Sequence, residues 1–142
     1  MKQILLIMIG LAISSIGLAQ KATPVGQWKT VDDETGKEKS IVEIYEQKGK
    51  LYGKVIKLLP GAASTTCDKC PGNKKGKPIV GMVFLTDLEK DGDVYDGGTI
   101  LDPAKGKEYS CKISLEKPDV LLVRGYMGFS LLGRTQKWYR VK

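Results

Sequence analysis

Short runs of strand-forming residues, set apart by turn residues at regular intervals, constrain this chain more than any other feature. The run from Glu108 to Leu115 shows the pattern most cleanly. Tyr109, Cys111, Ile113 and Leu115 fall on one face, and Ser110, Lys112 and Ser114 on the other. Period-two alternation of this kind marks a strand with one buried and one wet face. Comparable runs cover 25–31, 41–46, 51–59, 79–88, 94–101, 120–127 and 135–141, with no convincing amphipathic helix among them. Between them lie Asp32-Asp33-Glu34-Thr35-Gly36-Lys37, Lys48-Gly49-Lys50, residues 89–93, residues 102–106 and Pro118, all of them turn compositions. Residues 129–133 read as a turn or a short helix. About eight strands joined by short links predict an all-β, antiparallel, up-and-down barrel, because closure removes the exposed edges of an open meander. The one long link, 60–78, is rich in Pro, Gly, Lys and Cys. The strand pattern resumes unchanged beyond it, so it reads as a loop within one domain.

The first nineteen residues have another character. Lys2 precedes an apolar run from Ile4 to Ile13 broken by Gly10 alone, and Ser14 to Ala19 supplies small residues for a cut after Ala19. Charged start, apolar stretch and small-residue exit predict a secretory signal peptide over 1–19. The apolar run falls short of the roughly 20 residues of a membrane span, although an uncut N-terminal anchor is the rival reading. No cysteine follows the cut, which argues against a lipid-modified N-terminus. The expected mature protein is a single domain, 20–142, periplasmic or secreted and without a membrane span.

Composition narrows the chemistry. The chain has no histidine, which excludes Ser-His-Asp and Cys-His catalysis and removes the neutral-pH general base. An enzyme would have to work with carboxylates, lysine, tyrosine or thiols, and no catalytic residues and no cofactor are assigned. The net charge of +7 comes from a scattered lysine excess, densest at Lys74-Lys75-Gly76-Lys77. Such an excess serves as a solvated surface or attracts anionic lipids and polymers. Nucleic acid is not expected as a partner, since no basic stripe is interleaved with aromatics.

Cys67-Asp68-Lys69-Cys70 is the sharpest local motif. In an exported protein two cysteines this close are expected to pair and brace the long loop. Redox exchange is disfavoured, because Pro71-Gly72-Asn73 does not continue as the helix such a thiolate needs. No metal site is assigned: three cysteines without histidine leave structural zinc one ligand short, unless Cys111 and a carboxylate came near. Cys111 lies on the apolar face of its strand as a buried thiol, and the odd count leaves open a bridge from it to Cys67 or Cys70. The carboxylates Asp32, Asp33, Glu34, Asp91, Asp93, Asp96 and Asp102 read as turn residues, with Asp96-Gly97-Gly98 explained by a bend or bulge.

Gly26-Gln27-Trp28 opens the first strand and Trp138-Tyr139-Arg140 closes the last. In a closed sheet these strands pair, which would set Arg140 beside Trp28 for a cation–π contact of about 0.5–2 kcal/mol. Gly26, Trp28, Trp138 and Arg140 are thus expected to be structural. The Gly-x-Trp opening and the late arginine resemble the calycin pattern of lipocalins and fatty-acid-binding proteins. A broader similarity rests on Gly26-Gln27-Trp28-Lys29-Thr30 with the Asp32–Lys37 turn, Gly53-Lys54-Val55, Cys67-Asp68-Lys69-Cys70, Gly97-Gly98-Thr99-Ile100-Leu101-Asp102-Pro103, Tyr109-Ser110-Cys111-Lys112, Arg124-Gly125-Tyr126 and Gly133-Arg134-Thr135-Gln136-Lys137-Trp138. These segments resemble the bacterial domain-of-unknown-function family 2147. That resemblance implies a small exported protein with no established activity, and it carries over no catalytic residues.

The expectation for function is non-catalytic binding of a small apolar or amphipathic molecule inside or at the mouth of the barrel, where such sites lie. Its lining is expected from Tyr52, Phe84, Tyr95, Tyr109, Arg124, Tyr126 and Met127. The alternative is an envelope interaction module that presents the basic Cys67–Lys77 loop to anionic polymers, lipids or a partner protein.

Overall fold

In a computed structural model residues 21–128 and 132–142 are described. Eight strands follow one another: β1 (Gly26–Val31), β2 (Glu38–Gln47), β3 (Lys50–Leu58), β4 (Val83–Asp91), β5 (Val94–Asp102), β6 (Lys107–Lys117), β7 (Val120–Tyr126) and β8 (Gly133–Arg140). Each pairs antiparallel with the next, and β8 returns to β1, so the sheet is a closed up-and-down barrel. The eight strands and their order are those that the alternation and the turns predict. Helical structure among the described residues is one 3-10 turn, Gly72–Lys74, in the long link. The expected leader 1–19 lies outside the described residues, as do 129–131 of the expected turn or short helix; Gly133 already belongs to β8.

One boundary moves. The run beginning at Ile79 enters the sheet only at Val83, because 79–82 folds into a turn in which Met82 N–H donates to the Ile79 carbonyl at 3.0 Å and Gly81 N–H to the Val55 carbonyl at 2.7 Å. The register of β3 on β4 then shifts between Gly53 and Lys54, so consecutive Phe84 and Leu85 are both buried. A bulge sets two residues against one and breaks simple alternation. A second shift, between Tyr95 and Gly98, is the bulge that Asp96-Gly97-Gly98 suggests.

The barrel's seam is short. β1 and β8 pair through Trp28↔Arg140 and Lys29↔Tyr139, and Arg140 supplies what the ladder lacks. Its guanidinium carbon lies 4.3 Å from the centroid of the Trp28 ring. Its N–H groups donate to the carbonyls of Thr23 at 2.7 Å, Val25 at 3.0 Å and Pro118 at 2.9 Å. The fully buried Trp28 donates its indole N–H to Pro24 O at 2.8 Å. One cation thus ties the first strand, the chain before it and the β6–β7 hairpin across this end. Gly26 leaves room for it: φ is +136°, and a Cβ there would stand 2.7 Å from Arg140 Nη1.

Removing these contacts should loosen the seam. Arg140→Ala is expected to lose about 2 kcal/mol, since hydrogen bonds to a charged group contribute more than neutral ones. Gly26→Ala should cost about 1–3 kcal/mol through backbone strain and crowding. Urea unfolding followed by tryptophan fluorescence reads both as lower midpoints with an unchanged slope. Midpoints equal to wild type would show that the seam does not depend on this cation.

Candidate functional site

In an up-and-down barrel alternate links lie at opposite ends. The hairpins β2–β3, β4–β5 and β6–β7 share the end that Arg140 seals. The links β1–β2, β3–β4, β5–β6 and β7–β8 share the other, and there the barrel opens on a cavity of about 430 Å³. That volume is within the range of small-molecule pockets, about 300–1,000 Å³. Its depth follows from which residues of each strand line it. On β2 Ser40 and Val42 do and Ile44 does not; on β7 Val123 and Gly125 do and Leu121 does not; on β6 Tyr109 does and Cys111 does not. Arg134, Gln136 and Trp138 line it in order down β8, so Trp138 is its floor. The sealed half is packed with Ile44, Leu51, Leu88, Ile113 and Leu121, each at most 2% exposed.

The walls are apolar: Val55, Leu58, Ile79, Phe84, Ile100 and Val123 surround the space, with the Phe84 and Trp138 rings 6.0 Å apart. Polar groups inside are already partnered. Thr30 Oγ1 and Ser40 Oγ are 2.7 Å apart and bonded to each other, and Trp138 Nε1 donates to Gln136 Oε1 at 3.3 Å. At the mouth stand Lys39, Lys105, Arg134 and Asp102. Lys39 Nζ is 3.7 Å from Asp32 Oδ2. Arg134 Nε donates to Asp33 Oδ2 at 3.0 Å, and its Nη2 reaches Glu34 Oε1 at 3.2 Å. Partial burial opposes ionisation of Asp33, but the Arg134 guanidinium, a backbone N–H and the Gln136 amide together outweigh it and hold the carboxyl below its ordinary value. Met127 and Leu132, 58% and 70% exposed, form an apolar rim.

Of the residues expected to line the site, Phe84, Tyr109, Tyr126 and Met127 do so; the Tyr126 hydroxyl is engaged with Asp96 Oδ1 at 3.0 Å. Tyr52, Tyr95 and Arg124 do not, and each misses for a geometric reason. Tyr52 alternates with the buried Leu51 and Gly53, so it faces outward, donating to Asp87 Oδ1 at 2.9 Å and stacking on Tyr45. Arg124 alternates with Val123 and Gly125 in the same way and donates to Thr135 Oγ1 on the outer surface. Tyr95 pairs with the inward Ile113, but one residue from the β4–β5 hairpin, at the sealed end. Residue type alone does not flag Ala62, Ala63, Ser64 and Asp102–Lys105, which also line the mouth; the signal is their position in links of the open end. Trp28 and Arg140 lie at the opposite end, and Trp138 is both core and floor.

Cys67 and Cys70 form a disulfide with Cα atoms 5.4 Å apart, and Cys111 is a free, buried thiol. The 67–70 pairing removes the alternative bridges to Cys111. Cys67 Sγ lies 3.6 Å from the Pro103 carbonyl, so the braced loop leans on the β5–β6 turn. Gly106 makes that approach feasible: φ is +67°, and a Cβ there would stand 1.8 Å from Lys69 O. Lys75 and Lys77 of the basic cluster are exposed, and Lys74, Lys75 and Lys77 are all outside the cavity lining. Among the described residues no group of three or more His, Cys, Asp or Glu could hold a metal ion, and no helix is long and apolar enough to cross a membrane.

Two measurements follow from these environments. Burial, with Asp96 nearby, pushes the Cys111 thiol up to about 12, so at pH 8 only roughly one in ten thousand is thiolate. Iodoacetamide should leave the native protein unlabelled, mark one cysteine after unreduced unfolding and three after reduction; rapid native labelling would contradict the burial. The lowered Asp33 carboxyl contributes stability that is present above its ordinary value of 3.8 and is lost as pH falls through the folded value. The melting temperature should therefore fall on acidification through this range, and Asp33→Asn should flatten the fall. An identical acid limb in the variant would remove Asp33 from that role.

The geometry agrees with relatives. The structure is similar to that of a protein from the human pathogen Helicobacter pylori described as belonging to the lipocalin family, with a TM-score of 0.76 and 25% sequence identity over 86% of this chain and 85% of the other. A comparison with curated proteins finds no match. Residues 26–140, from the glycine that opens the seam to the arginine that closes it, match the family described as uncharacterized protein conserved in bacteria, domain of unknown function 2147, and the chain belongs to that family.

Proposed function

We propose that this chain is an exported, non-catalytic binding protein that holds a small apolar or amphipathic molecule in the open half of its barrel. The observation that carries this reading is the apolar cavity of about 430 Å³ above Trp138. Eight-stranded barrels either fill their interior with side chains or keep room for one small ligand, and this barrel does the first in one half and the second in the other. The lipocalin description of its structural neighbour supports the same reading. The polar side chains inside are partnered among themselves, and the composition without histidine favours binding over catalysis. Export rests on the 1–19 pattern, and a cut after Ala19 sets the mature N-terminus at Gln20.

Titration with the neutral fluorophore N-phenyl-1-naphthylamine tests the pocket. Saturable one-to-one binding with enhanced emission is expected. Ala62→Trp, which fills the mouth from a half-buried loop position, should weaken binding at least about tenfold, the loss of roughly 1.4 kcal/mol, while leaving the melting temperature within a few degrees. A folded protein that binds no apolar probe, or a variant that binds it unchanged, would overturn the assignment of this cavity.

A further inference from the structure

We infer that the ligand of this cavity is an amphiphile with an anionic head, its apolar chain inside the barrel and its head at the mouth against Lys105. This rests on the binding function proposed above and adds the chemistry of what is bound. The lining changes character along the barrel axis. Deep in the cavity the hydroxyls of Thr30 and Ser40 bond to each other, with the Ser40 carbonyl 3.5 Å from Thr30 Oγ1 to take the second proton, and the Trp138 N–H is satisfied by Gln136. No partnered group there gains from a polar ligand atom, and an unmatched polar atom would carry a desolvation cost. The buried part of the ligand is therefore hydrocarbon.

The mouth carries three cations, Lys39, Lys105 and Arg134, against one carboxylate, Asp102. Lys39 and Arg134 are already neutralised by Asp32, Asp33 and Glu34 from the β1–β2 turn. Those three acids do not themselves line the cavity. The Lys105 ammonium has no hydrogen bond or ion pair among the described residues. Asp102 is partly engaged, its Oδ1 accepting the N–H groups of Ala104 at 3.0 Å and Lys105 at 3.4 Å. The backbone under Lys105 is held from both sides. Gly106 N–H donates to Asp102 O at 2.8 Å, and the disulfide loop packs on Pro103 and Gly106. A cation unpartnered among the described residues, on a backbone anchored at the rim of an apolar cavity, complements a carboxylate or phosphate head that stays near water.

Competition against N-phenyl-1-naphthylamine at pH 8 and low salt, below micelle-forming concentrations, tests this with heads of different charge on one chain length. Dodecanoate and dodecyl phosphate should bind more tightly than dodecanol, and dodecyltrimethylammonium least. The better of the two anions separates a free fatty acid from a phosphorylated lipid as the source. Lys105→Ala should lower affinity for the favoured anion by about 3- to 10-fold, leave dodecanol unchanged and abolish the salt dependence, while Lys105→Arg retains the preference. Equal affinity of the anions and dodecanol in the wild type, or an anion preference that survives Lys105→Ala, would overturn the head-group assignment while leaving the pocket intact. Failure of every amphiphile and of the fluorophore would instead overturn the binding function itself.

Discussion

Closing the sheet is the constraint on which everything else depends, and the contact that meets it is Arg140 over Trp28. A barrel has no free edge only if its first and last strands pair, and here that ladder is the shortest in the sheet. The guanidinium extends it by bonding three carbonyls that belong to the chain before β1 and to the β6–β7 hairpin. It does so while lying on the indole face, so its stem and plane are packed and its donors are used. Gly26 is the backbone counterpart of that arrangement, since any side chain there would occupy the arginine's place.

A firmly closed end makes the interior asymmetric. Large aliphatic side chains from five strands meet behind Trp28 and fill that half, with every buried polar side-chain atom among the described residues satisfied. Toward the other end the inward positions become smaller or more polar: Thr30, Ser40, Gly125, Gln136. The short side chains of Thr30 and Ser40 and the bare Gly125 leave the space unfilled. The links of that end shape its rim, and the longest of them is cross-linked to itself by Cys67–Cys70. Cysteine packing here acts at a distance, through Pro103 and Gly106, on where the rim stands. The carboxylate turn Asp32–Glu34 holds two rim cations in place from the opposite side.

Strand existence, order and closure were legible because alternation and turn chemistry repeat at every hairpin, and because Gly26-Gln27-Trp28 and Arg140 mark the two sides of the seam. Local irregularities were legible only where glycines mark them, as at Asp96-Gly97-Gly98. Phe84 and Leu85 are neighbours that both point inward only because β3 and β4 slip in register, and a slip is a property of two strands together. Tyr52 and Arg124 were recoverable from sequence, since each is flanked on both sides by inward positions and must face out; aromatic or charged character was a poorer guide than parity. Tyr95 shows the limit of parity, for it is on the inner face and at the wrong end. The loop residues Ala62–Ser64 and Asp102–Lys105 carry no chemical signature, and they become part of a site only because alternate links of an up-and-down barrel crowd one rim.

The two tryptophans stand at different depths in the barrel, one beneath the seal and one at the cavity floor, and their indole N–H resonances report those levels separately. A proton–nitrogen correlation spectrum recorded during titration with N-phenyl-1-naphthylamine therefore tests the central claim, a barrel sealed at one end and receptive at the other. The Trp138 indole signal should move to saturation while that of Trp28, bonded to Pro24, stays in place. Movement of Trp28 with Trp138 unchanged, or no movement of either at saturating probe, would contradict it.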